Sequence, residues 1–277
     1  MNAFERFHPG VILLYFALVL GIHIGMFEPV LLGLSFLSLS TLNLYLKGLR
    51  AGGIFIGKCL LLFVVCTCMN ALLNHRGMSV LFFMGGLPVT VESAFYGAMT
   101  GLLLVDSILL FRCFHHMMTS EKLMCLFGSR FPSFSLIFSM VLGLVPKIRR
   151  DYEKIRENHG MCRGVVSALI GLSLEDSLEM GISMRYRGYG KGKRTSIYQK
   201  RFTRSDGFLL AAAVFLAAVC AGCYFLTNAQ TEYYPVIEFS CSAGGMAAYI
   251  SAFFLLNLPM LWNVKEEIRW KHIVSSI

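Results

Sequence analysis

The sequence predicts an all-α fold: a polytopic membrane protein with about six transmembrane helices and long amphipathic helices on the cytoplasmic side. Three observations carry this. Hydrophobic residues make up 56% of the 277 residues and charged residues only 15%, whereas a soluble domain carries about 25% charged residues. Apolar runs recur at roughly the 20-residue length that crosses a bilayer core of about 30 Å. The basic charge is gathered in one place: 14 of the 25 Lys and Arg lie from Lys147 to Arg204, against 7 acids from Asp151 to Asp206.

The spans are expected at 11–27, 30–46, 54–73, 91–111, 208–227 and 241–262. Glu28-Pro29 makes a tight turn between the first two. The opening MNAFERFHPG lacks a small-residue cleavage site, so the first span is expected to stay. Lys47 and Arg50 follow the second span, and Arg112, His115, His116 and Lys122 follow the fourth. Residues 74–88, with Gly77, Gly85 and Gly86, read as a turn-rich connector. Residues 228–239 hold two Glu and no Lys or Arg. Lys265, Arg269 and Lys271 follow the last span. Basic loops stay inside. Lys47, Arg50, the stretch 112–204 and both termini are therefore assigned to the cytoplasm, with Arg76 as the one exception. The organisation is 1–112 membrane helices, 113–206 cytoplasmic region and 207–277 membrane helices.

The middle region reads as helices of another kind. Thr119 suits an N-cap, with Glu121 in the first turn that follows. Pro132 opens a segment that is apolar to Val145, about 14 residues and short for a span. Beyond Pro146 it turns amphipathic: Ile148, Tyr152, Ile155 and His159 share one face, and Gly160 suits its end. A further helix is expected from Val165 to about Arg187, with Leu169, Leu172, Asp176, Met180, Ser183 and Arg187 on one stripe. Arg185, Arg187 and Gly188 suit its C-terminal end, where cations meet the negative pole of the helix and glycine caps it. Spacing alone leaves Arg187 as a solvated helix-end charge.

Several chemistries are excluded by pattern. Gly188 to Thr195 fails as a phosphate loop, because Lys193 is followed by Arg194 and the stretch follows a helix rather than a strand. Cys220 and Cys223 form a C-x-x-C inside an apolar run, where thiols behave as small hydrophobes. His115-His116 lacks ligand-spaced partners, so no metal and no cofactor is implied. The net charge of +9 is not spread as a nucleic-acid face would be. Asp106 is an acid inside an apolar run and hence a functional candidate, with pairing to a neighbouring helix as the alternative.

Ser183-Met184-Arg185-Tyr186-Arg187-Gly188-Tyr189-Gly190, with Arg194-Thr195 downstream, resembles the M-x-A-R-G-Y-G signature of the transmembrane T components of energy-coupling factor (ECF) transporters. NALLNHRG from Asn70, TSEKLMCLFG from Thr119, PSFSLIFSMVLGLVP from Pro132 and SLEDSL from Ser173 resemble further family segments in order. The resemblance implies two long cytoplasmic coupling helices, each ending in an X-Arg-X element that docks on one of two ABC-type ATPase subunits. It implies a separate substrate-binding S component held by the membrane helices, for uptake of a vitamin or metal micronutrient. Tyr186-Arg187-Gly188 would be the second element and Cys162-Arg163-Gly164 the first, with Arg156 as the alternative. Tyr and Cys stand where the family commonly has a small Ala. On this reading the chain is a non-catalytic scaffold. Two other readings stay open: a membrane-embedded lipid-processing enzyme using Asp106, His75 or His115 and His116, and an ordinary ABC permease.

Overall fold

Prolines open the first two long helices, where a missing N–H costs nothing. In the computed structural model they are α1 (Pro9–Gly25) and α2 (Pro29–Lys47). The His8 side chain caps α1 by accepting from the Gly10 N–H at 3.2 Å. The structure describes residues 3–74, 77–84, 87–128, 131–159, 164–191, 202–226 and 243–275. The remaining helices are α3 (Leu49–Leu73), α4 (Val91–Met117), α5 (Ser120–Gly128), α6 (Pro132–His159), α7 (Gly164–Tyr186), α8 (Arg204–Leu226) and α9 (Ala243–Ser275). A short 3-10 turn, Ala3–Arg6, precedes them.

The chain divides into two compact units. One comprises 1–119 and 201–277, the other 120–200. The first is built as a membrane body. Five of its helices are long and apolar enough to cross a bilayer: α2, α3, α4, α8 and Gly244–Lys271 within α9. The sixth expected span, α1, is a 17-residue helix, about 25 Å of rise against a core of about 30 Å. It is packed inside the body, with Val11, Ile12, Tyr15, Phe16, Val19 and His23 buried. By contrast, α3 leaves Ile54, Leu61, Val65, Met69 and Leu72 exposed, an apolar face of the kind that lipid covers.

Two glycines explain how closely α3 and α4 approach. A Cβ added at Gly97 would lie 2.7 Å from Asn70 Cβ, and one at Gly101 would lie 3.2 Å from Cys66 Cβ. Small residues one turn apart let two helix backbones meet. Thr90 caps α4 by accepting from the Ser93 N–H at 3.3 Å, and the Ser93 hydroxyl returns a bond to Thr90 O at 3.0 Å.

The connector before α4 is more ordered than the sequence reading allows. It contains an antiparallel hairpin, β1 (Val80–Met84) and β2 (Leu87–Thr90), pairing Phe83 with Pro88 and Met84 with Leu87. Its base is fastened by Glu92, whose carboxylate accepts from the Ser79 N–H at 3.1 and 3.3 Å. The expected connector 228–239 lies outside the described residues.

The N-terminal turn is seated in the same body. Phe4 and Phe7 are buried, and the Phe4 N–H donates to Asn263 Oδ1 at 3.0 Å. Buried Asp206, in the first turn of α8, accepts from the His8 N–H at 2.9 Å. Its other oxygen accepts from the Thr203 N–H at 2.8 Å and the Thr203 hydroxyl at 2.6 Å. At the far end of α4, His116 Nδ1 lies 3.5 Å from Glu5.

The second unit is α5, α6 and α7. Pro146 lies inside α6, and its carbonyl accepts from Arg150 Nε at 3.2 Å. The apolar and amphipathic halves expected around Pro146 are thus one continuous helix of 28 residues.

Candidate functional site

The candidate site is the C-terminal end of α7. Three local bonds stop the helix there. Arg187 N–H still reaches Ser183 O at 3.1 Å. Gly188 N–H then turns back to Arg185 O at 3.1 Å, and Tyr189 N–H to Met184 O at 3.0 Å. This pair of reverse bonds around a left-handed residue is a common helix stop. Gly188 takes φ 76°, a backbone that a side chain would strain. The expected glycine cap is therefore present at Gly188, and it fixes where residues 186 and 187 sit.

Those residues face outward. Tyr186 is 88% exposed, and Arg187 is exposed beside it. Among the described residues the Arg187 side chain has no ion pair or hydrogen bond, although α7 carries Glu175, Asp176 and Glu179. Asp176 is committed elsewhere: it pairs with Lys147 of α6 at 2.5 Å. A planar guanidinium left without an internal carboxylate is a donor fork available to a partner.

The packed stripe of α7 differs from the expected one. Val165 is buried and Leu169, Ser173 and Asp176 are half-buried, whereas Leu172, Met180 and Ser183 are exposed. The stripe expected through Arg187 is one position off early, because Ser173 rather than Leu172 turns inward. The Ser173 hydroxyl satisfies itself by bonding back to Leu169 O at 2.7 Å. Within α7 beyond Asp176, Met184 is half-buried and the other residues are exposed.

Of the other proposed element, Gly164 is the first residue of α7 and is exposed, while Cys162 and Arg163 lie outside the described residues. Arg156, the alternative, is exposed on α6, its guanidinium 5.9 Å from the centre of the Tyr152 ring. Ile148, Tyr152 and Ile155 are half-buried together, the face that the spacing predicts; the His159 side chain lies outside the described residues.

The residues weighed for membrane enzymology are dispersed. His115 is exposed, His116 lies near Glu5, and His75 lies outside the described residues. Asp106 is fully buried and bonded to the Ser35 hydroxyl, with His23 Nε2 3.7 Å from its Oδ2. A cleft of about 480 Å³ between α3 and α4 is lined by Cys66, Met69, Asn70, Leu73, Asn74, Thr100 and Leu104, with no carboxylate or imidazole among them. Among the described residues no cluster of three or more His, Cys, Asp or Glu could hold a metal ion. The sequence reading missed His23 and Ser35; a polar residue inside an apolar helix was the available signal.

No family model matches the chain, and no curated protein matches it.

Proposed function

We propose that this chain is the transmembrane coupling subunit of an ECF-type ABC importer. Two partner ATPase subunits would bind and hydrolyse ATP. Their motion would pass through α6 and α7 to the membrane helices and to an S component carrying a vitamin or metal micronutrient. The chain itself would catalyse nothing. The observation that carries the reading is the exposed Arg187, without an ion pair among the described residues, on a glycine-stopped helix end. It has the form of a docking tip: an always-charged donor fork held at a fixed place, with Gly188 leaving room for an approaching acidic groove.

Two further features support it. A membrane body of five helices long enough to span and a sixth, shorter apolar one, α1, beside a separate helical unit, suits a scaffold for soluble partners. The Lys147–Asp176 pair ties α6 to α7, so that a force on one tip is shared by both helices. Arg163 is the proposed tip at the start of α7, with Arg156 as the alternative. In this reading the protein sits in the cell membrane with both termini inside.

The test is uptake. With partners coexpressed, Arg187→Glu should abolish ATP-driven uptake while the chain still inserts in the membrane at normal levels. Arg185→Glu should leave most of it. Uptake unchanged in Arg187→Glu would end the coupling reading.

A further inference from the structure

Three polar side chains meet in the interior of the membrane body, one from each of three helices. They are His23 of α1, Ser35 of α2 and Asp106 of α4, each 1% exposed or less. Carrying a lone carboxylate or imidazolium in such a place is costly, so how the charge is satisfied decides what the cluster is.

The hydrogen bonds can be counted. His23 Nδ1 lies 3.1 Å from Val19 O, an acceptor only, so Nδ1 carries a proton. Nε2 therefore faces Asp106 Oδ2, 3.7 Å away, close enough for an ion pair and too far for a hydrogen bond. The Ser35 hydroxyl has one proton and two acceptors within reach, Leu32 O at 2.8 Å and Asp106 Oδ2. His23 Nε2 and Asp106 Oδ1 have no hydrogen-bond partner.

Two arrangements satisfy this geometry. In one, Nε2 is protonated, Asp106 is a carboxylate, and the Ser35 hydroxyl donates to it. In the other, the same proton sits on Asp106 Oδ2 and is donated to Ser35 Oγ, whose own proton goes to Leu32 O, and His23 is neutral. Both have no net charge. Adding or removing a proton would leave a single charge in an apolar core.

We propose that His23 and Asp106 form a proton-binding site that holds one proton as a neutral unit, with the Ser35 hydroxyl switching acceptor according to the side that carries it. No other titratable group takes part. Asp106 is hydrogen-bonded by the Ser35 hydroxyl and has His23 as its charge partner. Among the described residues of the packed elements the other buried ionisable side chains are Tyr15 of α1, Glu28 heading α2, Cys59 of α3, Glu92 and Cys113 of α4, and Asp206, Cys220 and Tyr224 of α8, of which Asp206 is engaged by His8 and Thr203. Glu92, at the opposite end of α4, is engaged by Ser79. The space beside His23 is closed by Val19, Ile22, Leu31, Ala252, Leu255 and Leu256, all apolar. The site lies inside the membrane body and does not depend on the coupling role.

The single variants separate the two halves of the pair. His23→Gln leaves Asp106 as the one ionisable group, folded best when protonated. Its melting temperature should fall as pH rises. Asp106→Asn leaves His23, folded best when neutral, and its melting temperature should fall as pH drops. The double variant should be flat between about pH 5.5 and about pH 8.5, and the wild type should be flat below the ordinary imidazole value of about 6.5 and fall above it, where the unfolded chain has released the proton that the folded pair still holds. Opposite slopes in the single variants, cancelled in the double variant, support the site. Two flat profiles, or two slopes of one sign, overturn it. If a single variant does not fold, 15N spectra of histidine-labelled wild type decide. One unchanging protonation state for His23 supports the site, and half-titration near about 6.5 overturns it.

Discussion

At the scale of single residues, position matters more than identity. Arg185 and Arg187 are both exposed cations at the end of one helix. What separates them is that Gly188 stops the helix immediately after Arg187, placing that side chain at the tip. A β-branched residue forced into the left-handed backbone costs about 1–2 kcal/mol, so Gly188→Val should fray the tip. The expected outcome is weakened uptake with an unchanged melting temperature of the membrane body; full uptake would show that the stop is dispensable. Asp206 works differently. It collects His8 and Thr203 donors at the head of α8 while buried. Asp206→Ala leaves those donors unmet, at about 1–3 kcal/mol, and thermal melting in detergent should drop by several degrees.

At the scale of elements, the α3–α4 seam depends on the absence of side chains. Gly97→Leu should drive α4 off α3, because even a Cβ there would lie 2.7 Å from Asn70 Cβ. Overpacking of this kind costs about 1–3 kcal/mol, and a lowered yield of folded protein in size-exclusion chromatography would register it. The long helices were legible because their apolar runs are long and continuous. The hairpin was not, although Gly85-Gly86 between two short β-rich runs is a hairpin signal. The stop at Gly188 was legible because it is local. The partners of Asp106 were not, since Ser35 is 71 positions away and only packing brings it near. Between α6 and α7, Lys147 and Asp176 make a half-exposed pair whose stability value is small, up to about 1 kcal/mol. Its effect should be on coupling. Lys147→Glu should reduce uptake, and Lys147→Glu with Asp176→Lys should restore it.

At the scale of the molecule, five long apolar helices and the lipid-type face of α3 make this a multi-pass membrane protein. The proposed orientation, which follows the basic stretch and the C-terminal cations, has the second unit and the end of α9 inside. A cysteine introduced at Ser79 should react with impermeant reagent from outside, and one at Lys265 only after permeabilisation. In the proposed function Arg187 docks the chain on ATPases, which affinity purification of the tagged full-length chain from its native membranes would reveal. ABC-type ATPase subunits and ATP hydrolysis should come with the wild type and be lost with Arg187→Glu. Wild-type protein that purifies without an ATPase, or an Arg187→Glu variant that keeps it, would rule out docking through Arg187.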